Sequence, residues 1–246
     1  MAESGMKRQS LLNGALVLVI ATALVKVIGA LFKIPITNLI GPVGRGYFGS
    51  AYNIFIPVYN IAMAGLPVAI SKLVAQKIAL GRYRDVRLIF KIAKRLFFLT
   101  GVVGMLILMI LAYPYAKSIN TTQVIPSILV IAPSIFFCCM MSAYRGYYSG
   151  LRNMNPTAVS QVIEALGKLI LGTLLAKFTM DHGMNNFKEG KKVFGKVVTT
   201  EAEALSATYP YAAAAAVAGV TIGTVFALGY LILRHRLKKD GISKAM

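Results

Sequence analysis

Four charged side chains stand inside stretches that are otherwise apolar. Lys26 and Lys33 lie seven residues apart, close to two turns at 3.6 residues per turn, so a helix carries both on similar faces. Ionisable groups are costly at membrane depth, and where they occur they face a cavity or a partner. Two ammonium groups on one face suit an anion such as phosphate or pyrophosphate, which lysine binds as a point charge. The plainer alternative is that one or both run along their stems to the interface, Lys33 the more readily because Pro35 and Asn38 bring the helix end near. Glu164 and Lys168 stand at i, i+4 in the favourable order, with Gln161 one turn earlier, so they are expected to pair. Such a pair either neutralises the helix for insertion or takes part in binding and in proton or cation coupling. Pro57, Gly65 and Pro67 remove or loosen backbone hydrogen bonds within one run and make it the candidate hinge. Asn53 and Asn60 share a face of the same run, where polar glue between helices is their default role.

Soluble-enzyme chemistry is missing. The sequence has no phosphate-cradling glycine loop of the Walker type, no assembled Ser/His/Asp set and no His/Cys metal constellation, since His182 and His235 fall in connecting or tail segments. The adjacent Cys138 and Cys139 read as small apolar filler. A non-enzymatic protein with no metal and no cofactor is expected.

The elements that must position these residues follow from composition. Of 246 residues 57% are hydrophobic and only 14% charged, with a mean hydropathy of +0.68, more apolar surface than a water-soluble core absorbs. This excludes a soluble enzyme, a disordered chain and a disulfide scaffold. The excess of 27 Lys+Arg over 8 Asp+Glu would suggest nucleic acid in a soluble protein, but the bases alternate with apolar runs, so no nucleic acid is expected. A bilayer core needs about 20 apolar residues in a helix. Six runs qualify, at about 11–40, 46–78, 88–113, 123–148, 157–178 and 208–233, and no barrel-type alternation is visible. The expected fold is an all-α, polytopic membrane helix bundle of about six transmembrane helices. The first run is too long for a signal peptide.

Orientation follows the positive-inside rule. Lys7 and Arg8, the bases from Lys72 to Arg95, Arg145, Arg152 and the bases from Arg234 onward fall on one side; Arg45, Lys117 and those from Lys177 to Lys196 fall on the other. Residues 1–10 and the basic tail 234–246 are therefore expected in the cytoplasm, flanking a membrane lobe at 11–233. Residues 72–95 read as a solvated, partly amphipathic face near anionic headgroups. In 181–206, Phe187, Val193, Phe194 and Val197 among lysines suggest a short amphipathic surface helix.

Longer stretches carry a resemblance. Lys26–Pro35 (KVIGALFKIP), Thr37–Gly41 (TNLIG), Ala64–Val74 (AGLPVAISKLV) and above all Arg145–Glu164 (RGYYSGLRNMNPTAVSQVIE) resemble the stage V sporulation protein B-like polysaccharide exporters. That family lies within the multidrug/oligosaccharidyl-lipid/polysaccharide exporter superfamily, which also holds the lipid II flippases. The resemblance implies one lobe of a two-lobed transporter whose central cavity alternates between membrane faces. It implies a lipid-linked sugar on an undecaprenyl-type carrier as substrate, its pyrophosphate-sugar head in the cavity and its tail in the bilayer. Lys26 matches a basic first-helix position of the flippases, and Lys33 lacks the acidic neighbour found there. Asn60, Met63 and Ala64 stand where the lipid II flippases carry charge. Arg145 and Arg152, at the cytoplasmic end of the fourth helix, are expected either to receive the headgroup or to obey the positive-inside rule. The expected setting is a bacterial inner membrane, as the N-terminal lobe of a longer protein or a half that pairs with a second lobe or a second copy. The rival readings are a cation-coupled multidrug exporter lobe, which the basic bias disfavours, and a non-transporting membrane interaction protein.

Overall fold

The computed structural model describes residues 9–63 and 65–237; Lys7, Arg8 and the tail beyond 237 lie outside the described residues. The apolar runs form long helices: α1 (Leu11–Met63), α2 (Leu66–Ala79), α3 (Tyr83–Ser118), α4 (Ile125–Gly150), α5 (Asn155–Lys188) and α6 (Glu201–Leu237), with a 3-10 turn at Thr122–Val124. No β-strand occurs among the described residues.

α1 is two helices in one. At Gly41 the backbone takes φ 62° and ψ −176°, a region essentially closed to residues with a Cβ, and Pro42 follows with no N–H to offer. Phe32 and Phe48 are 16 residues apart, a distance of about 24 Å along a straight helix, yet their ring centroids lie 5.9 Å apart. The chain therefore reverses at Gly41 into two antiparallel limbs, and helical backbone resumes at once through 42–45, between the two expected runs. At Gly65, φ 68°, the second limb bends and runs on into α2 without reversing. The Tyr115 hydroxyl donates to the Ser50 carbonyl at 3.2 Å, while Gly150 packs against Val74, so one crossing passes from Ser50 to Val74.

Five stretches are long and apolar enough to cross a membrane; the first, Leu12–Ala79, contains both limbs and so supplies two passes. Large apolar side chains point outward along them, Ile61 79% and Ile110 72% exposed, where lipid rather than water is the compatible surroundings. The protein is an all-α, multi-pass membrane bundle. α4 forms much of its centre, with Ile128, Ile131, Ile135 and Met141 buried. α5 and α6 approach most closely, because a Cβ on Gly219 would stand 2.1 Å from the Gly172 nitrogen and one on Gly167 would stand 2.6 Å from the Gly223 Cα. Small residues allow such contact where both surfaces are apolar.

Gln9, the α4–α5 turn and the end of α6 share one end of the bundle. The Gln9 N–H donates to the Arg152 carbonyl at 3.0 Å, and His235 packs on Phe90, Tyr144 and Tyr147. Gly41 and the 189–200 connection lie at the other end. That connection differs from the amphipathic helix expected of it. Val193 and Lys196 exchange backbone hydrogen bonds at 2.9 and 3.0 Å across a turn with Phe194 and Gly195 at positive φ, and Val193 is buried with Ala204 and Ala207. Val193 packs on α6 and Phe194 stacks on Tyr211 with centroids 4.3 Å apart, while Val197 stays exposed.

Candidate functional site

Between the two limbs of α1 and helices α4, α5 and α6 lies a cavity of about 390 Å³. The first limb contributes Thr22, Val25, Gly29 and Phe32, and the second contributes Tyr52, Phe55 and Tyr59, in both cases at i, i+3, i+7 spacing. Ser134 and Cys138 come from α4, Gln161, Glu164, Ala165 and Lys168 from α5, and Val220 and Thr224 from α6. The second limb is stiffened along this wall by a run of aromatics: Phe48 to Tyr52, Tyr52 to Phe55 and Phe55 to Tyr59 have centroids 4.9, 5.8 and 5.5 Å apart.

The charges are arranged differently from the local rule. Glu164 Oε2 accepts from Arg145 Nη2 at 2.9 Å, while Arg145 Nε donates to Ser160 Oγ at 3.0 Å and Nη2 lies 3.7 Å from Met141 Sδ. Ser160 and Glu164 are themselves one turn apart, so the fixed fork of one guanidinium from α4 grips two successive positions of α5. An i, i+4 Glu–Lys contact is worth only about 0.2–0.5 kcal/mol and loses to this grip. Among the described residues Lys168 forms no ion pair. Its ammonium rests on aromatic faces instead, 5.0 Å from the Phe32 centroid, 5.0 Å from Tyr52 and 5.9 Å from Phe48. Gln161 Oε1 is buried against the same cavity with no hydrogen-bond partner among the described residues, an orphan acceptor of the kind that usually finds one.

The other expected site residues are dispersed. Lys26 and Lys33 are exposed and do not line the cavity; at 100° per residue they are turned roughly 60–80° from the middle of the first limb's lining stripe. Arg152 is exposed in the α4–α5 turn at φ 55°. That turn is seated by Gln9, whose Nε2 donates to Asn155 Oδ1 at 2.7 Å and whose Oε1 accepts from the Met154 N–H at 3.0 Å. Of the expected hinge residues, Gly65 marks a true break. Pro67 occupies the first turn of α2, where its missing N–H costs no helical bond, and Pro57 sits inside helical backbone. Phe32, Phe48, Ser134 and Thr224 carry no individual signal in the sequence, and Cys138, expected as apolar filler, lines the cavity; the i, i+3, i+7 spacing of Tyr52, Phe55 and Tyr59 is the available signal. Among the described residues no three His, Cys, Asp or Glu side chains gather as metal ligands would.

The chain is 27% identical over 238 residues to Stage V sporulation protein B of Bacillus subtilis (strain 168), covering 95% of this chain and 40% of that protein. It is 30% identical over 169 residues to Lipid II flippase MurJ of the same organism, covering 65% of this chain and 31% of that one. The chain thus spans between about a third and two fifths of the length of these curated relatives. No solved structure matches it. Residues 11–182, which hold both limbs of α1, the Arg145–Glu164 pair and Lys168, match the family described as polysaccharide biosynthesis protein, and the chain belongs to that family.

Proposed function

We propose that this chain forms one lobe of a membrane flippase for a lipid-linked oligosaccharide or peptidoglycan precursor. The observation that carries the reading is a cavity in which Gln161, Glu164 and Lys168 stand in a largely apolar and aromatic wall, enclosed by helices whose outer surfaces are apolar. A sugar-pyrophosphate head cannot cross about 30 Å of hydrocarbon unaided, whereas its isoprenoid tail is at home there. A cavity of about 390 Å³ holds part of such a head, so a second lobe, or a second copy of this chain, supplies the remaining wall. Alternating exposure then follows from rocking one lobe on the other. The end that gathers Lys72, Lys77, Arg82, Arg84, Arg87 and Arg152 faces the cytoplasm of a bacterial cell by the positive-inside rule. Lys26 and Lys33, beside the cavity stripe, guide the phosphates at its rim.

The relatives' names support this reading, one of them being a lipid II flippase. A multidrug exporter is less well served: a cationic drug needs an available carboxylate, and Glu164, the acidic group in the cavity wall, is already bound by Arg145. The test is photocrosslinking in native membranes with a benzophenone-bearing polyprenyl-diphosphate sugar. Crosslinks are expected in peptides spanning 52–59 and 161–168, removed by unlabelled lipid-linked sugar. Crosslinks competed by organic cations instead, or a stoichiometric protein partner in place of any lipid crosslink, would replace the flippase reading.

A further inference from the structure

Glu164 and Lys168 are the charged residues of the cavity wall, and the structure makes them unequal. The carboxylate is neutralised from outside the cavity, since Arg145 holds Glu164 at 2.9 Å and Ser160 at 3.0 Å without lining the cavity itself. Among the described residues the ammonium four residues on rests on ring faces and forms no ion pair. A cation on aromatic faces is held but not neutralised, and an anion can approach its open side. One turn before Glu164 stands Gln161, with its unsatisfied Oε1 buried at the same wall. Its amide also carries two N–H donors, and a half-turn of the amide exchanges the two ends. An ammonium and an amide on one helix face fit the oxygens of a phosphate, the ammonium as a point charge and the amide as a directed donor.

We propose that Lys168 is the anion-binding group of this cavity. Arg145 acts at one remove as a positioning residue: it holds Glu164 away from Lys168 and so keeps the ammonium for phosphate oxygens. If Arg145 is removed, Glu164 turns to its i+4 neighbour and cancels the charge. The proposal rests on the flippase reading only for the identity of the phosphate carrier.

The test is equilibrium dialysis of the purified 246-residue chain in detergent against radiolabelled inorganic pyrophosphate, with farnesyl diphosphate and farnesol as competitors. Lys168→Met is expected to weaken pyrophosphate binding about tenfold or more, the scale of one charge-assisted hydrogen bond, and Lys168→Arg to stay within about threefold of the parent. Arg145→Leu should weaken binding by a similar factor. The double variant Arg145→Leu, Glu164→Gln should return it to within about threefold, because the competing carboxylate is gone. Parent-like binding by Lys168→Met, or no pyrophosphate binding by the parent chain, overturns the assignment of Lys168. A double variant as weak as Arg145→Leu overturns the positioning role. Farnesyl diphosphate displacing pyrophosphate far better than farnesol, and better than pyrophosphate itself, supports a lipid-borne phosphate. Equal potency of the two diphosphates keeps the site and removes the flippase reading.

Discussion

The α5–α6 crossing offers the sharpest test of how this bundle holds its cavity. In Gly219→Ala the new Cβ falls 2.1 Å from the Gly172 nitrogen and 2.3 Å from its Cα. Both are backbone atoms, so no side chain can swing aside. Restoring ordinary contact near 3.4 Å requires α6 to move off α5 by about 1.3 Å. That separation forfeits dispersion contacts along the crossing, which in a bilayer are the main attraction between helices. Overpacking of this kind costs about 1–3 kcal/mol, a loss of roughly 5- to 150-fold in the folded-to-unfolded ratio. The assay is unfolding of the purified chain in detergent, followed by circular dichroism, with Gly229→Ala alongside. Gly229 lies on the same helix with no heavy atom within 4 Å of its would-be Cβ, so that variant is expected to match the parent or gain up to about 1 kcal/mol from reduced backbone freedom. Because Val220 and Thr224, one and five residues after Gly219 on α6, line the cavity, Gly219→Ala should also weaken pyrophosphate binding while Gly229→Ala leaves it alone. Equal stability of the two variants would refute the close crossing and, with it, the registration of α6 against the cavity.

Two further outcomes follow from the backbone and the arrangement of ends. Gly41→Ala should lose about 1–3 kcal/mol through strain, since φ 62° with ψ −176° suits glycine and the nearest atom to a new Cβ, the Tyr209 hydroxyl oxygen at 3.4 Å, is at ordinary contact; unchanged denaturant unfolding would show that the reversal is held elsewhere. Lys192→Cys and Arg84→Cys, each with Cys138 and Cys139 replaced by alanine, place single thiols at exposed positions on opposite ends. A membrane-impermeant maleimide should label Lys192→Cys in intact cells and Arg84→Cys only after permeabilisation, and the reverse pattern would invert the orientation.

Residue types alone settled that this chain crosses a bilayer several times as helices, because a run of about 20 apolar residues has no other low-cost place to be. They also drew attention to Glu164 and Lys168, since charge at that depth demands a partner. They did not settle which partner. The i, i+4 spacing matched Glu164 with Lys168, and the guanidinium that takes the carboxylate comes from a residue 19 positions earlier on another helix. Nor did periodicity tell Lys168, at the cavity, from Lys26, beside it. A seven-residue spacing says which side chains share a face but not where that face points. In water the apolar face of a helix announces its direction; in lipid both the core and the surroundings are apolar, so hydropathy reports depth and leaves rotation open. Rotation here is decided by shape: by Gly167 and Gly172 meeting Gly223 and Gly219, by the reversal at Gly41 that lays Phe48 beside Phe32, and by the aromatic wall on which Lys168 comes to rest. Those are contacts between residues distant in sequence, and they exist only once the tertiary structure brings them together.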